Sequence, residues 1–145
     1  MKYFEEQRKI RYNIAMYKNL ENALYEIILE DPRYKVDAYE FVLNALSFTQ
    51  KKFSRLRHVT GEELLEGIKI LLMEKFGPMT LTVLEHWGVH ATEDFGNIVF
   101  NLVHKRVLSQ TEEDNIQNFK NGFDFEKVFS KGYRRRLEQK ISRMR

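Results

Sequence analysis

Between Phe76 and Leu108 the sequence writes two helices on either side of one tight turn, which commits the second half of the chain to helix-on-helix packing. Thr92 stands where a helix N-cap belongs, and Glu93 and Asp94 place negative charge against the free N–H groups of a first turn. Phe95, Ile98, Val99, Leu102 and Val103 then recur at helical spacing and make one apolar face. Ahead of the turn Gly88-Val89-His90-Ala91, Pro78 suits a first helical position, and Leu81, Leu84 and Trp87 form a short stripe that Gly88 ends. Helix, glycine-containing turn and longer helix read as a helix-turn-helix.

The rest of the chain points the same way. Residues 1–31 hold no proline and no glycine. Ile10, Ile14, Tyr17, Leu20, Leu24, Ile27 and Ile28 recur at steps of three and four, so a long helix is expected from about residue 10 until Asp31-Pro32 stops it. Asp37 with Glu40 suggests a capping box opening a helix whose face is Phe41, Val42, Ala45, Leu46 and Phe53, with a basic exit through residues 51–58. Thr60 with Glu63 repeats the device before Leu64, Leu65, Ile68, Leu71, Leu72 and Phe76, and Gly77-Pro78 closes that helix.

Residues 107–119 have two readings. They form either a short β-hairpin, which would make the motif winged-helix-like, or one more helical turn capped through Thr111 and Asp114. Asn121-Gly122 is a further turn signal, and Phe125, Val128 and Phe129 form a small apolar helix, interrupted near Gly132. Beyond it Tyr133, Leu137, Ile141 and Met144 are spaced as the stripe of an amphipathic helix. The expected class is mainly α: one helical domain over residues 1–132, with a helix-turn-helix core at 60–119, and a basic amphipathic helix at 133–145.

The blocks Asp31-Pro32-Arg33-Tyr34, Ala38-Tyr39-Glu40-Phe41-Val42 and His58-Val59-Thr60-Gly61-Glu62-Glu63-Leu64-Leu65-Glu66-Gly67-Ile68 come first. Phe76-Gly77-Pro78, Trp87-Gly88-Val89, Thr92-Glu93-Asp94-Phe95-Gly96 and Gly122-Phe123-Asp124-Phe125-Glu126 follow in order. Together they resemble a bacterial family found chiefly in planctomycetes and verrucomicrobia, over about residues 22–129. The resemblance implies no activity, cofactor or catalytic residue, and it leaves the basic tail outside its blocks.

Chemistry-bearing patterns are few. The absence of cysteine excludes disulfides, thiolate metal sites and a cysteine nucleophile. His86 and His90 lie four apart, but the turn falls between them and no glutamate follows His86 as a zinc-protease pattern needs. His58 beside the basic stretch and His104 at a helix end read as structural or exposed. No phosphate-cradling glycine loop, nucleophile elbow or dinucleotide fingerprint occurs, so neither a catalytic residue, a metal site nor a cofactor is expected. The clustered phenylalanines Phe95, Phe100, Phe119, Phe123, Phe125 and Phe129 lie at core spacing, whereas Tyr34 and Tyr133, beside arginines, are the stacking candidates. No segment reaches the ~18 apolar residues of a membrane span, and no signal-peptide core begins the chain, so a cytoplasmic protein is expected.

The net charge of +3 is unevenly spread. Arg134, Arg135, Arg136, Lys140, Arg143 and Arg145 crowd the last twelve residues against Glu138 alone, which leaves the remainder of the chain slightly acidic. A helix-turn-helix invites a DNA-reading role, yet its second helix would present Glu93 and Asp94, and the wing would present Glu112, Glu113 and Asp114, to phosphates. Only Lys105 and Arg106, at the far end, have the right sign. The expected function is therefore a non-catalytic binding module. Its partner surface is the basic tail with Lys105 and Arg106, and its partner is RNA, a ribonucleoprotein or an acidic protein. A winged-helix DNA-binding regulator and an enzyme built from distant residues are the alternatives. The tail stripe has a plainer alternative too, packing against the long N-terminal helix.

Overall fold

The computed structural model describes residues 20–53, 59–109 and 116–144, and the fold is mainly α, with no strand among those residues. In chain order, α1 is described over residues 20–30, and α2 (Val36–Lys52) and α3 (Gly61–Phe76) follow. A 3-10 turn (Gly77–Met79) leads into α4 (Thr80–Trp87) and α5 (Thr92–His104). A second 3-10 turn (Ile116–Phe119), a π-helical turn (Glu126–Lys131) and α6 (Gly132–Met144) complete the chain. The expected start of α1 near residue 10 and most of the basic exit after α2 lie outside the described residues.

The core is built around α2, which packs against α3, α4 and α5. Ala38, Tyr39, Phe41, Val42 and Ala45 are buried along it. Leu64, Leu65, Ile68 and Leu72 meet them from α3, Leu84 and Trp87 from α4, and Phe95, Ile98 and Leu102 from α5. Burying side chains of this size contributes about 1.5–3 kcal/mol each, and this is what holds the helices together. The crossing of α2 over α3 is close. A Cβ on Gly67 would lie 1.8 Å from Thr49 Oγ1, so only glycine fits there. The buried Thr49 hydroxyl donates back to Ala45 O at 2.6 Å and leaves no polar atom stranded at the crossing.

Helix ends follow their local chemistry, with four departures. The Thr60–Glu63 capping box forms in full: Glu63 N donates to Thr60 Oγ1 at 3.0 Å and Thr60 N to Glu63 Oε1 at 3.1 Å. The expected Asp37–Glu40 box does not. Lys35 N is taken by Trp87 O at 3.1 Å, so α2 begins at Val36 with no side-chain cap, and Asp37 serves only as first-turn charge. Phe53, expected on the buried face, falls beyond the end of α2 and is 37% exposed. Pro78 belongs to the 3-10 turn ahead of α4 rather than to the helix itself.

Thr92 does not cap α5. The N-cap is Ala91, whose side chain has no acceptor. Half of a capping box forms instead from inside the helix, where Asp94 Oδ2 accepts from His90 N at 2.7 Å and Ala91 N at 3.1 Å. Thr92 Oγ1 accepts from Gly122 N at 3.0 Å, and so ties the Asn121-Gly122 turn to the start of α5.

The hairpin reading of 107–119 gains no strand: residues 107–109 are irregular, Ile116–Phe119 is a 3-10 turn, and 110–115 lie outside the described residues. Phe119, buried in that turn, packs between α3 at Gly61 and α5 at Gly96. Phe95, Phe123, Phe125 and Phe129 form an aromatic cluster with centroid separations of 5.7–6.0 Å. The core reading thus holds for Phe95, Phe119, Phe125 and Phe129 and, half-buried, for Phe123, while Phe100 is half-exposed and stacks on His104.

Candidate functional site

The basic residues singled out by sequence do not form one surface. Lys105 closes the C-terminal end of α5, where its ammonium meets Glu30 Oε1 at 2.6 Å and Glu26 Oε2 at 3.5 Å. The hydrogen bond to Glu30 raises its pKa, and the pairing spans the end of α5 and α1. Arg106 follows with φ of 62° and an exposed side chain. Arg134, Arg135 and Arg136 lie within the first half of α6, and Arg145 is outside the described residues. Lys140 and Arg143 are exposed on α6.

The second half of α6 is open on every side. All side chains from Glu138 to Met144, almost two full turns, are exposed. Ile141 is 48% exposed and Met144 84%, so the apolar stripe is not buried at these positions. Among the described elements, the main neighbour of α6 is the π-helical turn from which it emerges.

A second constellation escapes sequence reasoning altogether. The loop between α1 and α2 lies across α5 through a chain of polar side chains. Tyr34, expected to be an exposed stacking residue, is 2% exposed. Its hydroxyl donates to Asp94 Oδ1 at 2.5 Å and accepts from Asn97 Nδ2 at 3.0 Å. Burial, reinforced by the bond to Asp94, pushes the Tyr34 phenol up to about 12. One turn further on, Asn101 Nδ2 donates to Asp31 Oδ2 at 2.9 Å and to the Tyr39 hydroxyl at 3.0 Å. Arg33 grips Asp31 through Nε at 2.8 Å and an Nη at 2.7 Å, a bidentate pair that holds the carboxyl far below the usual carboxylate range. Burial raises the Tyr39 phenol as well.

Gly88 sets the position of this loop. It ends α4 in the left-handed region at φ of 82°, and a Cβ there would lie 2.3 Å from Arg33 O. The α4–α5 turn therefore seats directly against the α1–α2 loop. Sequence carried one signal of this, the glycine after a helical stripe, but none of its partner.

An open groove of about 350 Å³ borders the same turn, lined by His90, Ala91, Glu93, Asn121, Phe123 and Asp124 among others. Its carboxylates are already engaged, since Glu93 Oε1 accepts from Asn121 N at 2.7 Å and Asp124 Oδ1 from Lys127 N at 3.0 Å. They hold the loop in shape.

No family model, curated protein or solved structure matches this chain. Assignment of a role therefore rests on the residues themselves. The polar network consists of groups that satisfy one another: among the described residues, no buried side-chain nitrogen or oxygen lacks a hydrogen-bond partner. Such a network orients loops and helices. No three His, Asp or Glu side chains among the described residues gather as a metal would need, and no described helix is long and apolar enough to cross a membrane.

Proposed function

We propose that the chain is a non-catalytic binding module, a helical scaffold whose basic C-terminal helix anchors it to RNA, a ribonucleoprotein or an acidic protein. The observation that carries this reading is the exposure of α6 from Glu138 to Met144, with Lys140 and Arg143 free of the body of the protein. The scaffold half of the reading is supported by the polar network, whose groups are consumed in fixing the α1–α2 loop to α5. Lys105 drops out of the anchor because Glu26 and Glu30 hold it.

A DNA-reading role for α5 finds less support. Asn97 and Asn101 are covered by the α1–α2 loop, and the side bearing Gly96 is covered by Phe119. Asp94 is spent on its own turn and on Tyr34. To lie in a major groove, α5 would have to shed those contacts and still bring Glu93 toward phosphates.

The test compares the full-length protein with a deletion of residues 133–145 by sedimentation in cell lysate, with and without nuclease. The anchor reading expects the full chain in a larger particle and the deleted chain near its own mass, with both unfolding at the same temperature. Nuclease collapse of the particle assigns it to RNA or ribonucleoprotein; resistance assigns it to protein. Identical sedimentation of the two chains rejects the anchor.

A further inference from the structure

We infer that α6 docks as a helix in an apolar groove with acidic walls on a partner protein. This rests on α6 being the anchor, and it selects the partner's chemistry from those the anchor admits. Two side chains carry it. Ile141 and Met144 are separated by one helical step of three, so they share a face, and the first is half-exposed and the second almost fully exposed although the protein has a packed core elsewhere. Lys140 and Arg143 immediately precede them in sequence and are exposed as well. In sequence the stripe continues back to Leu137 and Tyr133, and the cations to Arg136, Arg135 and Arg134.

Each candidate surface complements a different part of that pattern. Phosphates of RNA need the cations and gain nothing from isoleucine and methionine, which have no ring to stack on a base. An anionic lipid surface would use both, but the exposed apolar face at Ile141 and Met144 is narrow for an interfacial helix. A protein groove that covers Ile141 and Met144 while its carboxylates meet Lys140 and Arg143 satisfies the whole pattern.

The test uses the full-length chain and two double variants, all at exposed positions, so the body should unfold as in the parent. Ile141→Ser with Met144→Ser removes the apolar face and keeps every cation; Lys140→Gln with Arg143→Gln does the reverse. Three probes are titrated: calcium-loaded calmodulin, as an acidic protein with a methionine-rich apolar groove, poly(U) RNA, and phosphatidylglycerol vesicles. The groove reading expects the parent to bind calmodulin, with the serine pair weakening it about tenfold or more and the glutamine pair weakening it too. Binding to poly(U) unaffected by the serine pair, with no calmodulin binding, overturns the groove and leaves the RNA anchor standing. Vesicle binding that is tighter than calmodulin binding and is lost in the serine pair overturns it in favour of lipid. Failure to bind any probe overturns both the groove and the anchor.

Discussion

The Tyr34 hydroxyl and the Asp94 carboxylate, 60 residues apart in sequence, meet at 2.5 Å. Asp94 spends its other oxygen on the backbone N–H groups of His90 and Ala91, so one side chain both starts α5 and fastens it to the α1–α2 loop. The two jobs separate by mutation. Tyr34→Phe removes the tie and strips Asn97 Nδ2 of its acceptor, at an expected cost of about 1–3 kcal/mol. Asp94→Ala loses the tie and the cap together and should cost more, about 2–4 kcal/mol. Urea unfolding of both single variants and the double variant measures the coupling, and strictly additive losses would show that the bond contributes nothing to stability.

The same loop predicts a response to pH at both ends of the scale. Asp31 is held ionised by Arg33, so its folded pKa lies below its unfolded one. Its stabilisation is fully present above about pH 4, the unfolded value, and is lost as pH falls below it. Tyr34 is the opposite case. Its pKa is raised in the fold to about 12, so its contribution is complete below the unfolded value near 10 and is lost between there and 12. Unfolding midpoints should drop on both flanks. Asp31→Asn should flatten the acid flank alone, and Tyr34→Phe should reduce the alkaline loss, with Tyr39 retaining part of it.

At the α2–α3 crossing the limit is steric. Gly67→Ala puts a methyl group 1.8 Å from Thr49 Oγ1 and about 3 Å from its Cβ, and neither helix can retreat without opening the core. The expected loss is about 1–3 kcal/mol, the usual cost of overpacking. Thr49→Ala removes the nearer atom, so the double variant should be more stable than the sum of the single changes predicts. A thermal melt of the four proteins suffices, and additivity would mean that the crossing relaxes by another route.

What sequence reveals in this chain tracks how local each interaction is. The Thr60–Glu63 box is legible because donor and acceptor lie within one turn and nothing distant competes. The similar pattern at Asp37 and Glu40 misleads because Trp87 O, far along the chain, captures Lys35 N and moves the helix start. Tyr34 reads as exposed from its neighbour Arg33, yet the residues that bury its ring belong to elements that periodicity cannot place beside it. The apolar stripes of α2, α3 and α5 are legible, since burying one face of a helix needs only the 3.6-residue repeat. The Asp31–Asn101–Tyr39 and Tyr34–Asp94–Asn97 groups are not, because Asn97 and Asn101 on an amphipathic helix look like any solvated polar residue until the α1–α2 loop is laid across them. For the candidate anchor, the basic amphipathic pattern of residues 133–145 is plain in sequence. Its standing clear of the body over 138–144 is a fact of the fold.

Lys105 separates a cation that serves the fold from cations that serve a partner. It reaches from the end of α5 to Glu26 and Glu30 on α1, both of which are about 60% exposed. An ion pair this open is weak, screened by salt and offset by side-chain ordering, so Lys105→Gln should scarcely move the unfolding midpoint in physiological salt. Its effect on partner binding should be as small, because its charge is already neutralised by two carboxylates before any partner arrives. Lys140→Gln with Arg143→Gln should do the reverse, leaving the midpoint unchanged and weakening binding, since no described group competes for those charges. Salt titration of binding adds a second readout: the slope should fall in the α6 variant and stay at the parent value in Lys105→Gln. If Lys105→Gln instead weakens binding as much as the α6 pair, the partner surface extends to the end of α5 and the anchor is larger than one helix.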